Sequence, residues 1–176
     1  MLHENKRISK MIEELLEISE IEKTTGSLQK LNISNLLSEF LDKARFDAVE
    51  SSIIINCDLE PELEIIGNQR MVYLLFENLL SNAIHFSKKE IFITLKGRND
   101  GILLTIKDDG PGISKKEIGL IWNRFYRGKE HLPKVEYEGA GLGLPLVKKV
   151  VEIHNGWVAA KNNKGKGATF TVFLPK

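Results

Sequence analysis

The N-terminal part of the chain begins with a helical hydrophobic pattern. Apolar residues recur every three or four positions from Ile8 to Ile18, which predicts an amphipathic helix over residues 1–22. Its apolar stripe is narrow and heptad-like, as in helices that pack against other helices. A polar segment with a glycine follows over residues 23–30 and indicates a linker. We therefore expect one separate N-terminal helix and a second domain over residues 31–176.

The second domain opens with a helix and two short strands. Asn32 and Ser34 precede an apolar helical stripe that ends near Val49, which predicts a capped helix. Short runs rich in β-branched residues then predict strands over residues 52–59 and 63–66.

A long helix and a hairpin come next. We expect Asn68 to cap a helix that runs to about Phe86, because the apolar residues between them follow the 3.6-residue period. Two alternating runs, residues 91–96 and 102–107, flank a glycine-containing turn and predict a β-hairpin.

The last third of the chain predicts two helices, an irregular segment and a second hairpin. Ser114, with Glu117 three residues later, predicts a capping box and a helix. Residues 128–140 show no sustained period, which is typical of a functional loop. The remaining predicted elements are a helix over residues 144–154, stopped by Gly156, and a hairpin of residues 157–161 and 168–174. The whole pattern predicts an α+β fold, a mixed sheet with helices packed on it.

Charge and cysteine content narrow the classes of function. The chain of 176 residues has 25 Lys+Arg and 24 Asp+Glu, a net charge of +1 that disfavours nucleic-acid binding by bulk charge. No apolar run reaches the roughly 18 residues that span a membrane, and residues 1–5 do not have the pattern of a signal peptide. We therefore expect a cytoplasmic segment without membrane contact.

The single cysteine, Cys57, excludes an internal disulfide, and its apolar neighbours predict a buried thiol.

A row of polar side chains on the helix after Asn68 is the first candidate for chemistry. Asn78, Asn82 and His85 are spaced four and three residues apart and therefore lie along one helix face. The amide oxygen of Asn82 suits a hard cation such as Mg²⁺, which takes oxygen ligands and completes its shell with waters and phosphates. The alternative for this row, taken alone, is a helix face hydrogen-bonded to a neighbouring loop.

A carboxylate at the end of a strand is the second candidate, in the run Asp108-Asp109-Gly110-Pro111-Gly112. Such a carboxylate can accept a hydrogen bond from an exocyclic amine such as adenine N6. The glycines let the backbone approach a base closely. The alternative is a tight turn without a ligand.

The third candidate is the glycine-rich run of residues 139–144, which closes the irregular segment and opens a helix. Bare N–H donors at a helix N-terminus bind anions such as phosphates. The spacing Gly-x-Gly-x-Gly matches neither the dinucleotide fingerprint nor the phosphate-binding loop of the large NTPase class.

In content and order, these motifs resemble the sequence boxes of sensor histidine kinases. The matching segments are residues 78–87 for the N box, 108–113 for the first glycine box, 123–127 for the F box, 139–144 for the second glycine box and 165–170 for the last. The resemblance covers roughly residues 30–176.

The resemblance implies a two-layer α/β sandwich of the gyrase, chaperone, histidine kinase and MutL superfamily, with a mixed, mainly antiparallel sheet and a mobile ATP lid over residues 128–140. It implies ATP and Mg²⁺ as ligands, with Asp108 at adenine and Asn82 at the metal. The implied catalytic residues are Asn78, Asn82, His85, Arg124 and Arg127. The other implied nucleotide-binding residues are Gly110, Gly112, Ile113, Phe125, Gly139, Gly141, Leu142, Gly143, Leu144 and Thr169.

Two features bear on what this chain does alone. His85 stands where the family usually has Lys or Arg, and a neutral imidazole donates only one hydrogen bond.

The helix over residues 1–22 resembles the second helix of the dimerisation and phosphoacceptor hairpin, whose acceptor histidine lies on the first helix. We therefore expect a chain that lacks the acceptor and does not label itself, from a homodimeric parent protein.

The expected reaction is transfer of the ATP γ-phosphate to a histidine, for relay to an aspartate on the receiver domain of a response regulator. The alternative is a hydrolysing ATPase or an anti-sigma-type serine kinase of the same superfamily. Those relatives carry a glutamate four residues before the Mg²⁺ asparagine, where this chain has Asn78, which cannot take a proton. A scaffold module would require degenerate motifs, whereas these are nearly intact.

Overall fold

The computed structural model describes residues 28–50, 52–128 and 140–176, and Ile12 outside these ranges. The rest of the predicted N-terminal helix, most of the predicted linker and most of the predicted lid lie outside the described residues. In chain order the elements are β1 (Gln29–Asn32), α1 (Ile33–Glu50), β2 (Ile54–Leu59), β3 (Glu64–Gly67), α2 (Gln69–Phe86), β4 (Glu90–Arg98), β5 (Gly101–Asp108), α3 (Gly143–Ile153), β6 (Trp157–Asn162) and β7 (Ala168–Pro175). Within the described ranges, no helix is both long and apolar enough to cross a bilayer.

Five strands form the main sheet, in the order β2-β4-β5-β7-β6. β2 pairs with β4 in parallel, and the other three pairings are antiparallel. Along the central strands, buried residues such as Ile93, Ile106 and Val172 alternate with more exposed ones, and they share one core with the buried residues of the helices. The predicted α+β fold with a mixed, mainly antiparallel sheet is therefore confirmed.

A second sheet of two strands departs from the sequence prediction. β1 pairs antiparallel with β3, with Gln29 opposite Gly67, and it begins inside the segment predicted as a linker. Of its four residues only Leu31 is buried. The hydrophobic pattern does not reveal this strand, because it is short and is stabilised by pairing with a distant part of the chain.

Asparagine side chains cap the first two helices, as predicted. Oδ1 of Asn32 accepts from the backbone N–H of the residue three positions later at 2.9 Å, and Asn68 caps α2 in the same way at 3.1 Å. Ser34 has a different role, because its hydroxyl donates to the carbonyl oxygen of Glu60 at 2.6 Å. The predicted end of α2 at Phe86 is confirmed.

The predicted helix after Ser114 is wrong, because residues 115–122 form successive turns instead. The backbone N–H groups of Glu117 and Ile118 both donate to the carbonyl oxygen of Ser114, at 2.8 and 3.1 Å. The carboxylate of Glu117, which a capping box would direct back to Ser114, accepts from the hydroxyl of Tyr126 at 3.1 Å. A tertiary contact therefore takes the side chain that the local motif would use.

The end of α3 also differs in detail from the prediction. The prediction has Gly156 stop the helix, but it is Asn155, with φ of 56°, that adopts the left-handed conformation often found at helix ends. Gly156 is needed for space, because a Cβ there would overlap the carbonyl oxygen of Phe173. The helix therefore ends through Asn155, and Gly156 allows the next strand to pack closely.

The prediction of a buried thiol at Cys57 is wrong. Cys57 is exposed, because β2 forms one edge of the sheet. Its sulfur accepts from the guanidinium of Arg45 at 3.4 Å.

Candidate functional site

A buried carboxylate stands at the end of β5. The side chain of Asp108 belongs to a residue only 5% exposed, and its Oδ1 accepts from the backbone N–H groups of Gly110 at 2.9 Å and Ala168 at 3.1 Å. Both bonds reach the same oxygen, so Oδ2 is the atom able to accept from a ligand. Burial raises the pKa of Asp108, and these two hydrogen bonds oppose part of that rise.

Glycines surround this carboxylate because the backbone leaves no room for side chains. A Cβ on Gly110 would overlap the carbonyl oxygen of Phe86, and a Cβ on Gly167 would overlap that of Asp108. Gly112 and Gly167 also have φ of +84° and +86°, which L residues rarely adopt. The end of α2 and the ends of β5 and β7 thus form one tight cradle.

Two asparagines that the sequence analysis missed hold this cradle together. Asn162 accepts from the N–H of Ile113 at 2.7 Å and donates to its carbonyl oxygen at 2.6 Å. Asn163 donates to the carbonyl oxygen of Asp108 at 2.9 Å and accepts from the hydroxyl of Thr169. Their sequence signal is that of a hairpin turn, so only the fold reveals that they bond to the first glycine box.

The polar row on α2 contains one fixed amide and one open amide. Asn78, Asn82 and His85 are all partly buried. The Nδ2 group of Asn78 donates to the carbonyl oxygen of Leu74 at 2.8 Å, which fixes its amide. Among the described residues, none forms a hydrogen bond with the side chain of Asn82. The Asn82 amide is therefore available to a ligand.

The N-terminus of α3 meets this row. The helix begins at Gly143, and no described side chain caps the turn at Leu142, so its first backbone N–H groups lack side-chain acceptors. A Cβ on Gly143 would stand 2.6 Å from Oδ1 of Asn78. Leu142 is buried and Leu144 partly buried, which anchors the turn in the core. The arrangement offers N–H donors and the positive end of a helix dipole beside the asparagine row.

The F box and the second glycine box meet through the backbone. The N–H of Phe125 donates to the carbonyl oxygen of Gly141 at 2.9 Å. Gly141 has φ of +73°, and a Cβ there would stand 2.8 Å from the carbonyl oxygen of Tyr126. On either side of Phe125, Arg124 is exposed and Arg127 is partly buried.

His85 lies at the end of the polar row. Its ring packs edge-on against the ring of Phe86, with centroids 4.7 Å apart, and its Nε2 is shielded from solvent. Burial lowers the pKa of His85, which favours the neutral imidazole. His85 also borders a groove of about 730 Å³ between α1 and α2. Glu77 and Lys43 line the same groove. Because Glu77 directly precedes Asn78 in the helix, its side chain projects about 100° away from that of Asn78 around α2.

The structure thus assembles most of the predicted site residues in local groups. One group joins Asp108, Gly110, Gly112, Ile113 and Thr169; a second joins Asn78 and Gly143; a third joins Phe125 and Gly141. Gly139 lies outside the described residues. Within the described ranges, no cluster of three His, Cys, Asp or Glu side chains could hold a metal ion. A cation here would depend on the amide oxygen of Asn82 and on oxygens of its ligand, which suits Mg²⁺.

The chain is similar to known proteins in sequence and in fold. Residues 67–176 match the family described as histidine kinase-, DNA gyrase B- and HSP90-like ATPases. The chain is 31% identical over 174 residues to the sensor histidine kinase CpxA of Escherichia coli (strain K12), covering 98% of this chain and 38% of CpxA. The structure matches a mycobacterial sensor histidine kinase, MprB, with a TM-score of 0.72, 26% identity and coverage of 84% of this chain and 97% of the other. It matches the fold of the catalytic domain of histidine kinase ThkA with a TM-score of 0.75, 21% identity and coverage of 86% of this chain and 97% of that one.

Proposed function

The chain belongs to the histidine kinase-, DNA gyrase B- and HSP90-like ATPases, and we propose on this premise that its site transfers the γ-phosphate of ATP to a histidine on a dimerisation hairpin. The chain spans 38% of the length of CpxA, so the hairpin, the homodimer and the receiver domain that takes the phosphate onward belong to this proposal.

Adenine recognition falls to Asp108. Oδ2 of the buried carboxylate accepts from the N6 amine of adenine, while Oδ1 stays bonded to Gly110 and Ala168. The glycine cradle lets the base approach the backbone, as no Cβ stands in the way at residue 110 or 112.

The phosphates bind at the N-terminus of α3. The first N–H groups of this helix donate to phosphate oxygens, and Asn78 packs directly against the turn at Gly143. Asn82 would supply an amide oxygen to Mg²⁺, and the bound ion would neutralise charge on the phosphate oxygens. Arg124 or Arg127 lies near the phosphates, and His85 donates a single hydrogen bond as a neutral imidazole.

The observation that carries the choice of acceptor is the chemistry at position 78. Attack on the γ-phosphorus by water or serine requires a group that accepts the proton of the attacking oxygen. Asn78 cannot do so, because an amide does not take a proton at neutral pH and this one is bonded to Leu74. Glu77 is exposed and projects about 100° away from Asn78 around α2. A neutral imidazole attacks through the ring nitrogen that carries no proton, so the attacking atom needs no base. The new N–P bond forms as the bond from the γ-phosphorus to the bridging oxygen breaks, and ADP leaves. The site therefore fits a histidine acceptor better than hydrolysis.

Calorimetry with and without magnesium tests the nucleotide site. We expect the chain to bind ATP more tightly with Mg²⁺, and Asn82→Ala to abolish this tightening because the open amide is lost. Asn99→Ala, in the exposed turn between β4 and β5, is the matched control and should respond to magnesium like the unaltered chain. An unchanged magnesium response in Asn82→Ala would refute the metal assignment.

A further inference from the structure

A buried histidine lies away from the nucleotide site and bonds to two separate elements. His154, 5% exposed, is the C-cap residue of α3. Its Nδ1 lies 2.7 Å from the carbonyl oxygen of Val150, and its Nε2 lies 3.1 Å from the backbone nitrogen of Asn68. A backbone N–H can only donate, so Nε2 carries the lone pair and Nδ1 carries the proton. Both ring nitrogens of a neutral imidazole are therefore engaged.

The bond to Asn68 completes the cap of α2. The Asn68 side chain accepts from the N–H of Met71, while the N–H of Asn68 itself needs an acceptor, which a capping box would supply from the same helix. Here the acceptor is His154, at the end of another helix. Gly67 provides the space, because a Cβ there would stand 2.9 Å from Nε2 of His154.

The two helices joined by this bond carry the two halves of the phosphate site. At one end of the pair, His154 at the C-terminus of α3 bonds to the N-cap of α2. At the other end, Gly143 at the N-terminus of α3 touches Asn78 in the middle of α2. The helices therefore run antiparallel, with the histidine about 16 Å from the glycine turn along α3, at 1.5 Å per residue.

We propose that His154 is a positioning residue that fixes α3 along α2, so that the glycine turn and the asparagine row face the same phosphates. This role rests on the proposed nucleotide site. Because the Asn78 contact leaves no clearance at Gly143, a small slide or tilt of α3 changes the position of the N–H donors relative to Asn82. The bond to Asn68 opposes such a slide, whereas the bond to Val150 lies within one helix and does not.

Two conservative substitutions distinguish the bond from His154 to Asn68 from the bond to Val150. His154→Gln places a side-chain oxygen near the position of Nε2 and keeps the acceptor for Asn68. His154→Asn places an amide N–H near the position of Nδ1 and keeps only the bond within α3. We expect calorimetric titration with Mg²⁺ and a non-hydrolysable ATP analogue to give His154→Gln a Kd within about twofold of that of the unaltered chain. The Kd of His154→Asn should be about threefold to tenfold higher than that of the unaltered chain. Glu152→Gln, exposed near the same end of α3, is the control.

Hydrogen exchange at the Asn68 amide supplies a second readout. The amide should exchange slowly in the unaltered chain and in His154→Gln, and quickly in His154→Asn. Gly67→Ala keeps residue 154 as histidine but displaces its ring from the Asn68 amide. This variant should weaken analogue binding as His154→Asn does. Fast exchange at Asn68 with unchanged analogue affinity would overturn the positioning role. Failure of the unaltered chain to bind the analogue would instead refute the proposed function on which that role rests.

Discussion

Gly143 packs so closely against Asn78 that a Cβ added to the glycine would stand 2.6 Å from the amide oxygen of the asparagine. This relationship joins the middle of the N-box helix to the first turn of the helix that follows the second glycine box. The same asparagine is held from the other side by its bond to Leu74. Residue 143 therefore must lack a side chain for the two boxes to meet.

The first prediction concerns this contact. Gly143→Ala should weaken Mg²⁺·ATP binding by about tenfold, because the added methyl group forces Asn78 or the turn to move, an overpacking cost of the order of 1–3 kcal/mol. Isothermal calorimetry checks it. Gly119→Ala is the control, since a Cβ there meets nothing within 4 Å. Equal affinities for the two variants would contradict the prediction.

The second prediction concerns the base. Asp108→Asn should weaken ATP binding by at least about tenfold, the loss of a hydrogen bond to a charged acceptor. It should also reduce the preference for ATP over GTP, because an amide can donate to the guanine oxygen as well as accept. Competition calorimetry measures both effects, with exposed Asp100→Asn as control. A variant that keeps its ATP affinity would refute the adenine assignment.

The third prediction concerns Asp109, which connects the end of α2 to the first glycine box. Its Oδ1 accepts from the N–H groups of Lys88 at 2.7 Å and Lys89 at 3.2 Å. Burial opposes ionisation, but hydrogen bonds from the backbone of Lys88, Lys89 and Glu90 outweigh it and lower the pKa of Asp109 below 3.8.

A lowered pKa means that this stabilisation is present above pH 3.8 and is lost as the pH falls through the folded-state value. Asp109→Asn should therefore lower the free energy of unfolding at pH 7 by about 1 kcal/mol, a modest value because solvent screens the site. The difference between the two proteins should shrink toward pH 3. Urea denaturation at both pH values measures it, and a difference that grows on acidification would disagree with the account.

Local patterns predicted the fold well where neighbouring residues decide the structure. Asn68 caps α2 and the two hairpins form as expected, because period and capping chemistry are local. The capping-box helix at Ser114 does not form, and Glu117 bonds to Tyr126 instead. The hydrophobic pattern did not predict the strand that begins at Gln29, because its partner strand is distant in sequence.

The candidate site was also predictable only where the signal is local. Its sequence boxes are contiguous runs, so an ATP-binding catalytic domain of the histidine kinase type could be predicted, and the family and its relatives confirm it. The contributions of Asn162, Asn163 and His154 were not predictable from their neighbours, because each bonds to a segment far along the chain. The roles of the individual site residues remain predictions.

The phosphotransfer reaction tests the central claim most directly. The chain is incubated with Mg²⁺ and γ-³²P-ATP, alone and with a separate dimerisation hairpin that carries the acceptor histidine. We predict no label on the chain alone and acid-labile label on the hairpin, lost when its histidine is replaced. Strong acid-labile label on the chain alone, or release of inorganic phosphate with no label on the hairpin, would contradict the account.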